Sequence, residues 1–388
     1  MKKSIFLFTA ALLGLVLLTS CNGDGGTWET NKDNRWWAGE DGSKLFGYID
    51  ENGKMVIPAN YSSVCNFSCG WACVLEDGEN QFIDKDGKSV IPDPFPVEGY
   101  FNFNRIRFQE DGKKGMYDEN WKVVIPADYK SLGECTEDGL IWFSEDGKEW
   151  GYLDKDGKVV IPEQFAGAYS FAGGIAVVFE KKDEEYRYGV IDKKGNFLID
   201  FQKKFLNNLG EGRVSFKNAS TGKYGMMDKN GNEIVSAKYD NINPFTCGLA
   251  RVKKGDKFGF INTKGEEVIP CRYYNTYAFY GDVADVQKSE DSRWEIIDKK
   301  GESLITLKEN EYLAYCFING LGLVYNEATN QYRYINKKNE IIYKWEPGSS
   351  SMPEKRLSPE ERRMQFMLST EYGPLFLDMM RKDNRLIQ

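Results

Sequence analysis

Eight cysteines and a large set of carboxylates are the reactive side chains of this chain, which contains no histidine. Without imidazole there is no histidine-based triad, no HExxH-type zinc site and no imidazole acid–base step. Cys65, Cys69 and Cys73 form a Cys-x3-Cys-x3-Cys run that invites a metal. Its spacing is not that of a zinc knuckle, however, and Cys69 shares its place before a glycine with Cys247. The cysteines beyond Cys21 are Cys65, Cys69, Cys73, Cys135, Cys247, Cys271 and Cys316, an odd number. They are expected to be mostly reduced small hydrophobes, with no metal and no cofactor. Two carboxylates at a set separation are enough for glycoside hydrolysis, so a carboxylate-dependent, polysaccharide-acting enzyme stays open as an alternative. Most acids have a plainer use. Asp84-Lys85-Asp86-Gly87 and Asp154-Lys155-Asp156-Gly157 look like pieces of calcium loops but lack the later ligands, and they are expected to be turns. Asp282 and Asp285 lie outside the turn phase, on a strand whose counterpart holds Arg251, and are expected on a solvated face.

The remaining reactive residue is Cys21. Lys2 and Lys3 precede an apolar run from Ile5 to Leu18, then Leu18-Thr19-Ser20-Cys21. A charged start, a short apolar run and small residues before a cysteine describe a lipoprotein signal peptide over residues 1–20, cleaved and lipidated at Cys21. Asn22 stands where an inner-membrane retention Asp is often found; the resemblance to other bacterial lipoproteins implies a lipid-anchored place in the cell envelope, at the outer membrane. Residues 21–35 are Gly-rich and polar, suiting a flexible tether.

What positions everything else is a repeat. WGYLDKDGKVVIP from Trp150 returns as FGYIDENGKMVIP from Phe46 and FGFINTKGEEVIP from Phe258. The Asp or Asn before each turn marks nine copies, at Asp50, Asp84, Asp118, Asp154, Asp192, Asp228, Asn262, Asp298 and Asn336, spaced 34 to 38 residues apart. Within a copy, an aromatic strand runs to the Asp, a Gly three positions later takes the positive φ of a bulged turn, and a Val/Ile strand ends at Pro. Trp121 replaces that Gly in the third copy, so a differently built turn is expected there. The Gly three before the marker, such as Gly47 or Gly151, is expected to let a neighbouring ring approach the backbone. An upstream strand such as Gly248 to Val252 completes a three-stranded meander. Link rings such as Tyr61 and Phe67, or Phe165 and Phe171, are expected to fill the seams between units.

The aromatic-Gly pair, the Asp-x-x-Gly turn and the Val-Ile-Pro ending resemble the WG, or KWG, repeat family. The resemblance implies a β-rich bacterial interaction module and supplies no catalytic residue. The fold expected is all-β, with three-stranded units over residues 36–346 stacked as an open curved array, and a closed propeller-like ring as the alternative. Nine copies exceed the usual blade number, and the units are short. Residues 347–357 read as a linker. Residues 358–388 read as a short C-terminal helical cap, from Ser358, Pro359 and Glu361 at its start.

The formal charge is −8, and loss of the signal peptide removes two lysines and no acid, so nucleic acid is excluded as a partner. Rings outside the repeat phase, Trp71, Trp121 and Trp142, are the candidates for a ligand-binding surface. The expected function is a non-catalytic, surface-tethered module binding a protein or glycan, with a structural envelope spacer as a further alternative. Mass spectrometry of the mature N-terminus should find acyl chains on Cys21, and Cys21→Ala should release the protein from membranes. An unmodified terminus elsewhere would remove the anchor from this reading.

Overall fold

The Asp-x-x-Gly turn explains how each unit folds. In the fourth copy, Asp154 Oδ1 accepts from the backbone N–H of Asp156 at 3.0 Å and of Lys158 at 2.9 Å, while Gly157 N donates to Asp154 O. Gly157 sits at φ +85°, where a side chain would be strained. The computed structural model describes residues 34–90 and 97–348, and all nine copies make this turn. The third is no exception: Trp121 takes φ +62° and closes the same bonds to Asp118, so the differently built turn is not found. Packing of its ring, described below, offsets the backbone strain.

The glycine of the aromatic-Gly pair has a backbone reason. Opposite it the last strand of the unit bulges: Trp150 pairs with Phe165 and Tyr152 with Ile161, so the intervening residues of the longer strand arch over Gly151. A Cβ on Gly151 would stand 2.4 Å from Ile161 O, and one on Gly47 2.2 Å from Ile57 O. The expected ring is present at Gly115 and Gly225, where Phe108 and Phe216 of the adjacent strand lie close, but the carbonyl is the constraint common to these copies. Pro162 sits in this bulged edge strand, where a missing N–H costs nothing and discourages further pairing.

Each unit has four strands rather than three. The link residues expected to be mere seam filler pair as an additional first strand, as in the fourth unit: Ser131–Leu132, Leu140–Ser144, Trp150–Asp154 and Val159–Phe165, in that spatial order. Eight sheets are of this kind, and the first has three strands among the described residues. At five of the links one residue separates the fourth strand of a unit from the first strand of the next, as between Phe165 and Gly167; three residues do so between Gln202 and Leu206 and four between Thr306 and Glu311. The link rings do fill the seams: Phe67, Phe171 and Phe279 stand edge-on to Tyr48, Tyr152 and Phe260 of the preceding unit at 4.9, 4.8 and 4.8 Å.

The array is closed, not open. Each turn glycine packs on the fourth-strand isoleucine or valine of the preceding blade: a Cβ on Gly157 would be 3.3 Å from Ile125 and one on Gly195 3.3 Å from Ile161. Gly53 of the first blade meets the ninth, where a Cβ would stand 2.3 Å from the backbone O of Ile342. Around that seam Tyr334 Oη donates to Trp37 O at 2.8 Å, Tyr343 Oη to Gly39 O at 3.0 Å and Trp36 Nε1 to Ile318 O at 3.0 Å. Trp345, 1% exposed, stacks on Tyr332 and meets Trp37 edge-on. The protein is therefore a nine-bladed β-propeller. An open array would leave two complementary apolar blade faces in water, and closure covers both. Among the described residues there is no helix, and the expected C-terminal cap at 358–388 lies outside them.

Trp345→Ala should cost about 3–5 kcal/mol by removing a buried aromatic from the closing seam. Gly151→Ala should cost about 1–3 kcal/mol by forcing the bulge away from its strand. Urea unfolding midpoints measure both, and a wild-type midpoint for Trp345→Ala would mean that closure contributes little to stability.

Candidate functional site

Because repeat-phase residues are consumed by turns and seams, a binding site has to come from positions where one copy differs from the others. The three tryptophans singled out by phase are such positions, and each is engaged in packing. Trp142 is 7% exposed and lies over Gly133 of its own blade, where a Cβ would be 2.5 Å from its indole. Trp71 is half-buried, and its Nε1 donates to Glu119 O of the next blade at 3.0 Å. This is the task performed in other copies by arginine: Arg105 Nε reaches Lys155 O and Arg213 Nε reaches Thr263 O, both at 2.8 Å. Trp121 meets Trp71, Phe82 and Phe101 at 5.0 to 5.6 Å, and its Nε1 and Glu119 Oε2 are buried polar atoms without a hydrogen-bond partner. The structure brings Trp71 and Trp121 together and sets Trp142 apart, in the core shared by the fourth and fifth blades.

Phasing of the aromatic strand missed the ring that does face solvent. Phe103 is 41% exposed at the tip of the first turn of the third blade, with φ +47° followed by Asn104 at φ +62°. These two left-handed residues make the tight two-residue hairpin that Gly173-Gly174 and Cys247-Gly248 make elsewhere. Alignment of the first turns, rather than of the Asp turns, would have exposed a phenylalanine-asparagine pair in a glycine position.

On the same face, first turns and Asp turns of successive blades enclose an open depression of about 880 Å³. It is lined by Asp138, Lys193, Glu211, Arg213 and Asp228, among others. Asp138 accepts from Gly174 N of the next blade and pairs with Lys193 at 2.7 Å; Glu211 Oε1 likewise accepts from Gly248 N at 3.0 Å. Burial pushes the Glu211 carboxyl above the usual range, against the lowering effect of that N–H. Sequence phase hid these acids because they belong to the first turn, whose residue types vary from copy to copy.

Asp285 departs from expectation. It is 3% exposed, because its strand is covered by neighbouring blades, whereas Asp282 is exposed and pairs with Lys337. The turn acids are spent on backbone N–H groups. Among the described residues no three ligand-type side chains converge on a common point as a metal would require.

Five segments match the WG containing repeat, at residues 46–79, 115–148, 150–182, 224–258 and 258–290. They hold Gly47, Gly115, Gly151, Gly225 and Gly259, the glycines beneath the bulge. A search of curated proteins finds no match. Among solved structures, the crystal structure of the eukaryotic initiation factor is 11% identical, covering 79% of this chain and 94% of that one with a TM-score of 0.54. Apo AztD from Citrobacter koseri is 12% identical over 81% and 94%, with a TM-score of 0.40. The first of these likenesses bears on the fold, and on nothing else.

Glu211 also makes a stability prediction. An acid whose pKa is raised by folding holds its proton more tightly in the folded state, so its contribution falls as pH rises from the unfolded pKa through the folded one. Glu211→Gln keeps an acceptor for Gly248 N and should therefore be more stable than wild type at neutral pH, with the advantage vanishing below about pH 4. Unfolding midpoints at the two pH values decide it, and an unchanged difference would show that burial does not disfavour the charge.

Proposed function

This chain carries tandem WG-containing repeats closed into a propeller, and on that premise we propose that it is a non-catalytic interaction scaffold, lipid-anchored at the cell envelope, binding a protein or glycan partner on the face that bears the first turns and the Asp turns. The observation that carries the proposal is Phe103. A phenylalanine in the left-handed region costs roughly 1–2 kcal/mol that a glycine would not, and it leaves its ring partly in water. Strain held at an exposed aromatic is a device for binding rather than for folding. The blade-to-blade variation of the first turns supports the same face, since repeat proteins bind through the positions that their repeats do not share.

A second reading is supported by Glu211. A carboxyl whose pKa is raised by burial, lining an open depression with Asp138 and Asp228, has the makings of a general acid for an enzyme acting on polysaccharide. The envelope-spacer reading has no residue of its own and differs by lacking any saturable ligand.

Cross-linking capture from membranes, together with a glycan-binding screen on the purified chain, tests these readings. Phe103→Gly should leave the unfolding midpoint unchanged or raised while saturable binding weakens about tenfold or more. Binding that is indifferent to Phe103→Gly removes this face from the proposal. Turnover of a glycan that disappears in Glu211→Gln would establish the enzyme instead.

A further inference from the structure

The three-cysteine run of the second blade divides when folded. Its first two strands pair Ser63 with Leu75 and Val64 with Val74. The next step of that register sets Cys65 opposite Cys73, with Cys65 N donating to Cys73 O at 3.0 Å. The two thiols are close enough for each to shift the other's pKa. Cys69, between them in sequence, is carried away to the hairpin tip, where it has φ +54° and its Sγ accepts from Asn104 N of the third blade. Around the pair is the seam with the first blade: Tyr48 Oη donates to Cys65 O at 2.7 Å, and Tyr48 stands edge-on to Phe67. Cys65 is buried and Cys73 half-buried, so Cys73 is the more accessible residue of the pair.

We propose that Cys65 and Cys73 are a dithiol poised for reversible closure to a cross-strand disulfide by a small disulfide oxidant, a covalent staple between the first and second strands of the second blade. The reaction is thiol–disulfide exchange. Cys73, as thiolate, attacks one sulfur of the oxidant, whose S–S bond breaks and releases one thiolate, leaving a mixed disulfide on Cys73. The Cys65 thiol gives its proton to the released thiolate, and its sulfur then displaces the second thiolate from Cys73. Two protein thiols are oxidised and one disulfide is reduced to two thiols. Interaction between the two thiols lowers the Cys73 pKa and, with burial, raises that of Cys65, in keeping with this order of attack. Opposed residues on paired strands stand within the span that a disulfide bridges.

The test treats the folded full-length chain with oxidised glutathione, blocks free thiols by alkylation and maps the peptides without reduction. A cross-link between the Cys65 and Cys73 peptides is expected, reversed by dithiothreitol, with Cys69 alkylated. Cys65→Ser should trap glutathione on Cys73, Cys73→Ser should lose the cross-link, and Cys69→Ser should retain it. The wild-type map stands whether or not a variant folds. Full alkylation of Cys65 and Cys73 after oxidation, a link from either to Cys69, or absence of the trapped adduct in a folded Cys65→Ser variant would each overturn the proposal.

Discussion

The contact between a turn and the preceding blade's fourth strand is the constraint on which the ring depends. A glycine at the crown of the turn brings its backbone against a buried aliphatic side chain, Gly157 on Ile125, Gly195 on Ile161 and Gly301 on Ile269. The contact has one geometry because the Asp fixes the turn and the bulge fixes the isoleucine. Repetition of one geometry sets a nearly constant rotation between blades. At the last seam the turn glycine Gly53 comes against the backbone of Ile342, so the ring closes through a turn of the same kind.

That economy separates two populations of residues. Those at fixed phase satisfy backbone groups or fill seams, and this includes rings that would elsewhere mark a binding platform. Trp71 illustrates it: an indole does the work of Arg105 and Arg213, reaching across a seam to a turn carbonyl. The second population is concentrated in the first turns, six of which share one pair of left-handed residues while their side chains vary. Cys69, Phe103, Glu211 and Cys247 all occupy the first left-handed position of this turn, a thiol, a ring and a carboxylate on one backbone shape. A scaffold so arranged can vary its contacts on one face without disturbing its blades.

The repeat, the Asp turn and the burial of Phe67, Phe171 and Phe279 were legible in the sequence because each is a local pattern with a local cause. The additional first strand was not. Two-residue segments such as Ser131–Leu132 carry no periodicity, and pairing alone reveals them. Closure was missed for a related reason: the complementarity of Trp37 and Trp345 lies in residues about three hundred positions apart. Trp121 shows how tertiary packing overrides turn chemistry, since Phe82 and Phe101 hold its ring while its backbone takes a glycine's place. Phe103 was overlooked because attention to the Asp turn left the first turns unaligned.

The link between the fourth strand of one blade and the first strand of the next, a single residue at five seams, has a mechanical consequence. Seams within the chain are bridged by the polypeptide itself, so blades joined there cannot separate without unravelling a sheet. The seam between the ninth and first blades has no peptide bridge; its side chains and terminal backbone contacts, such as Gly42 N to Glu346 O and Gly348 N to Ser43 O, hold it. A load applied to the chain at Asn34 falls on the first blade and peels this seam in preference to any other. The ring thus has one built-in rupture point, at Trp345, and would open there as a clasp does while its other eight seams stay shut.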